Sequence, residues 1–217
     1  MAKPKTTILF DLDGTLIDSI ELILSSMRFA FTKLGRACPT DEEWRAGIGI
    51  PLFRVMQQYA AEEADQRALL VAYREHQIAN HDRLIRCYDH VIDVVETLRR
   101  EGHQTGVVTS KGEWLAMKGL ALVGLASAMD TIVGADSSTR HKPDPEPVRV
   151  ALDRLGTAPE NALYVGDSVH DLMAGRAAGV RTAAALWGAF KRADMEPGEP
   201  DFWLSSIRDL PALVQTF

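Results

Sequence analysis

Five short apolar runs recur along the chain, each followed by enough residues to hold at least one helix. They are Thr6-Thr7-Ile8-Leu9-Phe10, Thr105-Gly106-Val107-Val108, Thr131-Ile132-Val133, Ala162-Leu163-Tyr164-Val165 and Thr182-Ala183-Ala184-Ala185-Leu186. Continuous apolar runs, unlike strict polar–apolar alternation, suit strands covered on both faces. Strands alternating with helices imply βαβ units, so the expected fold class is α/β with a doubly wound parallel sheet. The helical segments carry their own punctuation. His90 to Arg100 places Val91, Val94, Val95 and Leu98 on one face, ends in two arginines and stops at Gly102. Pro145 to Leu155 before Gly156, and Val169 to Ala178 before Gly179, repeat that pattern.

Residues 17–86 interrupt this rhythm with helical periodicity and no convincing strand. Ile20, Leu24, Met27, Phe31 and Leu34 form one apolar stripe, with Asp18 and Glu21 expected to cap its start and Gly35 to end it. Asp41 to Ala46, Pro51 to Glu62 and Asp65 to His81 supply further expected helices. The expected organisation is therefore a core of residues 1–16 and 87–217 with an inserted α-helical subdomain of residues 17–86.

Composition removes several function classes. Thirty acidic and 24 basic side chains leave a net charge of −6, with no long Lys/Arg run to neutralise a nucleic-acid backbone. No apolar stretch approaches the ~18 residues of a membrane helix. The opening Met1-Ala2-Lys3-Pro4-Lys5 leads straight to a polar motif without a signal-type segment, so a cytoplasmic location is expected. Two cysteines, Cys38 and Cys87, are too few for a disulfide framework or a sulfur-ligated metal. There is no G-x-x-x-x-G-K-[ST] loop, and Gly47-Ile48-Gly49-Ile50-Pro51-Leu52 breaks the dinucleotide-binding pattern at its third glycine. His103 and His141 read as surface residues or as supports to a site.

The chemistry gathers at strand ends. Asp11-Leu12-Asp13-Gly14-Thr15 follows the first strand directly, and residues two apart in extended chain point the same way. Open parallel sheets bind ligands at that edge. Two carboxylates so close call for a cation between them, and for oxygen ligands Mg²⁺ is the natural one. A second acidic cluster, Gly166-Asp167-Ser168-Val169-His170-Asp171, ends the Ala162 strand; by itself it is equally an ordinary helix cap. Thr109-Ser110-Lys111-Gly112 offers hydroxyls and backbone N–H groups for a phosphate. Lys142 is held in the stiff His141-Lys142-Pro143-Asp144-Pro145 segment.

In this order the four motifs resemble those of the haloacid dehalogenase superfamily over nearly the whole chain. The resemblance implies a Rossmann-like core with a helical cap, and a Mg²⁺-dependent phosphatase. It implies Asp11 as nucleophile, Asp13 as general acid/base, Thr109 and Lys142 as phosphate holders, with Asp167 and Asp171 completing a metal site begun by Asp11 and Asp13. Dehalogenases of similar build lack the second aspartate, which is present here as Asp13. Phosphonoacetaldehyde hydrolases use a cap lysine, and the only one in this segment, Lys33, lies inside the first helix. Sugar-phosphate mutases carry Glu-Asp where this chain has Gly166-Asp167; they remain the alternative, with a non-enzymatic aspartyl-phosphate switch. The nearest branches are phosphoglycolate phosphatases and cap-bearing pyrophosphatases. The expected partner is a small phosphorylated substrate, with no nucleic acid or membrane, for a monomer or homodimer. Arg45 and Arg54, flanking the cap's glycine loop, are the expected substrate-binding residues there, beside Ser110 on the core.

Overall fold

The computed structural model describes residues 5–216; the opening segment 1–4, read above as lacking a leader, lies outside them. In chain order, β1 (Thr7–Phe10) is followed by β2 (Ile17–Asp18). Four helices come next: α1 (Ile20–Lys33), α2 (Asp41–Arg45), α3 (Leu52–Tyr59) and α4 (Glu63–Leu84). The chain then runs through β3 (Arg86–Cys87), α5 (Val91–Arg100), β4 (Gln104–Val108) and α6 (Glu113–Leu122). After β5 (Thr131–Val133) come α7 (Glu146–Leu155), β6 (Ala162–Gly166), α8 (Val169–Ala178), β7 (Arg181–Ala185) and β8 (Phe202–Leu204).

The large sheet is parallel throughout, in the order β5-β4-β1-β6-β7-β8. β1 is central because both of its faces are dry: Ile8 and Phe10 enter one apolar cluster with α5, while Leu9 enters the other with α7 and α8. The doubly wound sheet with a cap is thus the fold the apolar runs call for. β8 is absent from the sequence reading, since Phe202-Trp203-Leu204 is too short to show a period and pairs only with β7.

The helical segment leaves and re-enters the core through an antiparallel ribbon, Ile17 opposite Cys87 and Asp18 opposite Arg86. These two-residue strands correct the expectation of no strand in this region; their partners are too distant in sequence for a local pattern. The capping expectation for Asp18 holds in part, since its Oδ1 accepts from the Ile20 N–H at 3.3 Å, but Asp18 is not the N-cap position itself. Ser19 is the N-cap of α1 and makes no side-chain cap bond, because its hydroxyl donates to Asp13 Oδ1 at 2.5 Å. α4 runs longer than periodicity suggests, its first turn supported by an Arg67–Glu63 pair one turn apart. The cap has its own core, in which the Trp44 ring lies 5.3 Å from Tyr59 and 6.0 Å from Tyr73. No helix among the described residues is long and apolar enough to cross a membrane.

Candidate active site

β1, β4 and β6 all end at one edge of the sheet, and their following loops deliver the motif side chains there. Asp11 follows β1, its backbone N–H donating to Val165 O of β6 at 2.8 Å. Thr109 follows β4, tied to β5 by its N–H bond to Val133 O at 2.9 Å. Asp167 and Asp171 follow β6. One carboxylate oxygen from each of Asp11, Asp167 and Asp171 lies within 4.8 Å of the others, and all three residues are buried.

Lys142 binds this cluster together. Its Nζ donates to Asp11 Oδ1 at 2.8 Å, to Asp171 Oδ1 at 2.5 Å and to the Tyr164 hydroxyl at 3.2 Å, and its side chain is 1% exposed. Burial alone would pull the ammonium down, but Asp11 and Asp171 outweigh it and hold the pKa above the usual lysine range. One ammonium does not neutralise three buried acids. Burial, then Asp171 and Asp13, push Asp11 up to about 7 against the opposing pull of Lys142. Asp167 is raised well above the carboxylate range, first by burial and then by Asp11 and Asp171. Hard oxygen donors that crowd this closely fit a divalent cation of the Mg²⁺ type.

Asp171 shows that the capping and the functional readings of its motif hold together. Ser168 caps α8 with Asp171 in a reciprocal box, Asp171 Oδ2 accepting from the Ser168 N–H at 3.0 Å and hydroxyl at 2.6 Å. Oδ1 meanwhile accepts from Lys142 and from Tyr164 at 3.0 Å. Asp167 is held by the Ala189 N–H at 2.7 Å and the Thr15 hydroxyl at 3.2 Å.

Asp13 stands apart from the triad. The backbone leaves the strand after Phe10 and turns at Gly14, whose φ is +89°, so the extended-chain geometry expected for both aspartates is not kept. Asp13 Oδ1 pairs instead with Lys111 Nζ at 2.5 Å, where the expectation had it as a metal-binding carboxylate. An ammonium already neutralises it. Sequence reasoning passes over Lys111 as a site side chain; the available signal was a lysine in the loop after a strand at the ligand-binding edge. Tyr164, inside β6, carries no such signal because its spacing is that of a core residue.

Glycine is required where the loops close on Asp167. A Cβ at Gly188 would lie 2.3 Å from Asp167 Cβ and 2.4 Å from Gly14 O, and neither can retreat. Gly188→Ala is expected to cost about 1–3 kcal/mol, the scale of overpacking a filled interior. A urea midpoint equal to wild type would refute this close approach.

Asp11, Asp13, Thr109, Ser110 and Lys111 line a cavity of about 80 Å³ whose roof is the cap. The cap's glycine loop does reach the core: Gly49 O accepts from the Ser110 hydroxyl at 2.6 Å. The Ser110 hydroxyl, expected on phosphate, is thus committed to the cap. Arg45 and Arg54 do not line the cavity. α3 turns Val55 and Met56 inward and leaves Arg54 exposed beside the Phe53 ring, which packs on His141 of the core, while Arg45 ends α2 and acts on Tyr88. The arginine that the structure brings to the cavity is Arg74 of α4.

Residues 8–185 match the family described as haloacid dehalogenase-like hydrolase. The chain is similar to a protein named pyrophosphatase PpaX from Bacillus velezensis, 40% identical over 96% of this chain and 95% of that one. A second PpaX, from Oceanobacillus iheyensis, is 35% identical over 96% of both chains. Among solved structures, a haloacid dehalogenase-like family hydrolase from Streptococcus pneumoniae superposes with a TM-score of 0.86 at 26% identity, covering 96% of this chain and 98% of that one. A predicted phosphoglycolate phosphatase from Haemophilus somnus shares the fold with a TM-score of 0.90 at 23% identity, over 97% and 98% of the two chains.

Proposed function

The chain belongs to the haloacid dehalogenase-like hydrolase family and is a phosphatase, and we propose that it hydrolyses a small phosphorylated metabolite through an aspartyl-phosphate on Asp11. Pyrophosphate, which the relatives' name points to, and a phosphoglycolate-like monoester are the candidate substrates. The observation that carries the reading is the Asp11 carboxylate at a capped cavity, its Oδ1 steadied by Lys142.

An Asp11 oxygen attacks phosphorus, the O–P bond forming as the bond to the leaving oxygen breaks, and Asp13, entering with a proton on the Oδ2 that Lys111 and Ser19 leave free, protonates that oxygen. Water then attacks the phosphorus and gives its proton to Asp13, releasing phosphate and restoring Asp11. Lys111 and Ser19 fix the Asp13 carboxylate at the cavity wall for both transfers. Thr109 and the Ser110 N–H, at the cavity, would hold the phosphoryl oxygens, with Lys142 acting on them from behind Asp11. A Mg²⁺ held by Asp11, Asp167 and Asp171, three of the four expected carboxylates, would supply positive charge against the acids and the phosphoryl group. The cap excludes water, a device that a phospho-switch does not need. The proposed location is the cytoplasm, with which the free thiols Cys38 and Cys87 are compatible.

Phosphate release from pyrophosphate and 2-phosphoglycolate is expected in Mg²⁺, lost on exhaustive chelation and restored by readdition. Mg²⁺ should also raise the melting temperature of the wild type and not that of Asp167→Asn. Full activity in chelator removes the metal from this reading.

A further inference from the structure

The cavity is polar at its floor and, on the cap side, largely apolar, with Ile23, Trp44, Ile50 and Leu52 among its walls. In that roof α4 sets one cation, Arg74, beside the buried Gln77. Arg74 Nη1 donates to Gln77 Oε1 at 2.9 Å, and Arg74 forms no ion pair among the described residues. Of the other cap arginines, Arg28, Arg36 and Arg67 each hold a carboxylate, while Arg45, Arg54 and Arg83, like Arg74, form no ion pair among the described residues but do not line the cavity. A guanidinium carries five N–H donors, so a neutral amide accepting one leaves charge and donors for a ligand. Both charges reach the same wall, since the buried Tyr73 hydroxyl, raised first by burial, is raised further by Asp13 and opposed by Arg74.

Size sets the second constraint. A cavity of about 80 Å³ compares with roughly 10–15 Å³ for one water on the same measure. It holds several water volumes, enough for a compact dianion. On the core side the transferred phosphoryl group already has Thr109, with Lys142 behind Asp11.

We propose that Arg74, steadied by Gln77, is the subsite for a second anion, phosphate or carboxylate, on a short substrate whose reacting phosphoryl group sits at Asp11. The inference rests on the phosphohydrolase reading of Asp11. A substrate with two anionic ends then spans core and cap and holds the cavity shut over the reaction.

Three substrates test it: pyrophosphate, 2-phosphoglycolate, and methyl phosphate, which has no second anion. Arg74→Ala and the uncharged, longer Arg74→Gln should lower kcat/KM for the doubly anionic substrates relative to methyl phosphate about 10- to 100-fold, chiefly through KM. Arg74→Lys should recover part of the loss, since charge returns without the fork. Whichever of pyrophosphate and phosphoglycolate loses more identifies the second anion. Calorimetric binding of methylenediphosphonate against methylphosphonate repeats the comparison without turnover. If the wild type hydrolyses the substrates and neither ratio moves in these variants, the subsite is refuted and the hydrolase stands. If the wild type hydrolyses none yet binds the diphosphonate in an Arg74-dependent way, the hydrolase reading fails and the subsite stands.

Discussion

Asp11→Asn is expected to reduce turnover by ~10⁴-fold or more, because an amide oxygen does not displace the leaving group from phosphorus. The variant should remain folded. Asparagine keeps the volume of the side chain, and its Oδ1 still accepts from Lys142, whose other carboxylate partner, Asp171, is untouched. Wild-type protein quenched in acid during turnover should carry a phosphoryl group that Asp11→Asn lacks. Activity near wild type in Asp11→Asn, with an unchanged melting curve, would remove Asp11 as nucleophile.

Lys142→Ala is expected to damage both activity and stability. It leaves Asp11 and Asp171 buried without their shared cation, and breaking a buried ion pair from one side costs about 3–5 kcal/mol. The sign of its pH dependence follows from burial. Asp11 already titrates near 7 with Lys142 in place, far above an unfolded aspartate at about 3.9, and loss of the ammonium raises it further. An acid whose folded pKa is raised binds its proton more tightly in the folded state, so stability returns as pH falls through that value. The deficit, read from urea midpoints in metal-free buffer, should therefore be largest at pH 8 and shrink toward pH 5. A deficit independent of pH would mean that Lys142 acts through packing alone. Adding Asp171→Asn to Lys142→Ala should restore part of the stability and none of the activity.

Much of this site was legible in the chain because its parts are local. Asp11, Asp13, Thr109 and Asp167 each follow an apolar run directly, and parallel strands carry whatever follows them to a common edge. The Ser168 and Asp171 pair was legible for the same reason, its cap closing within one helical turn. Other features failed for lack of a local signal. β2 and β3 pair residues at opposite ends of the cap, and β8 is recognised only through β7. Arg45 and Arg54 carried the expected chemistry next to a glycine loop, yet neither lines the cavity; Arg54 acts on His141 and Arg45 on Tyr88, while the loop's backbone met Ser110.

The sequence by itself therefore determined five of the sheet's six strands, its winding, the edge where the acids gather and the inserted helices, since hydrophobic period and strand-end position are properties of neighbouring residues. Only the tertiary structure decided which charges meet: Lys142 with Asp11 and Asp171, Lys111 with Asp13, and Arg74 above the cavity. The reason is physical. An ion pair forms between side chains that separate elements bring within a few ångströms, and which residue of a helix faces a cavity depends on how that helix is rotated against the rest of the fold.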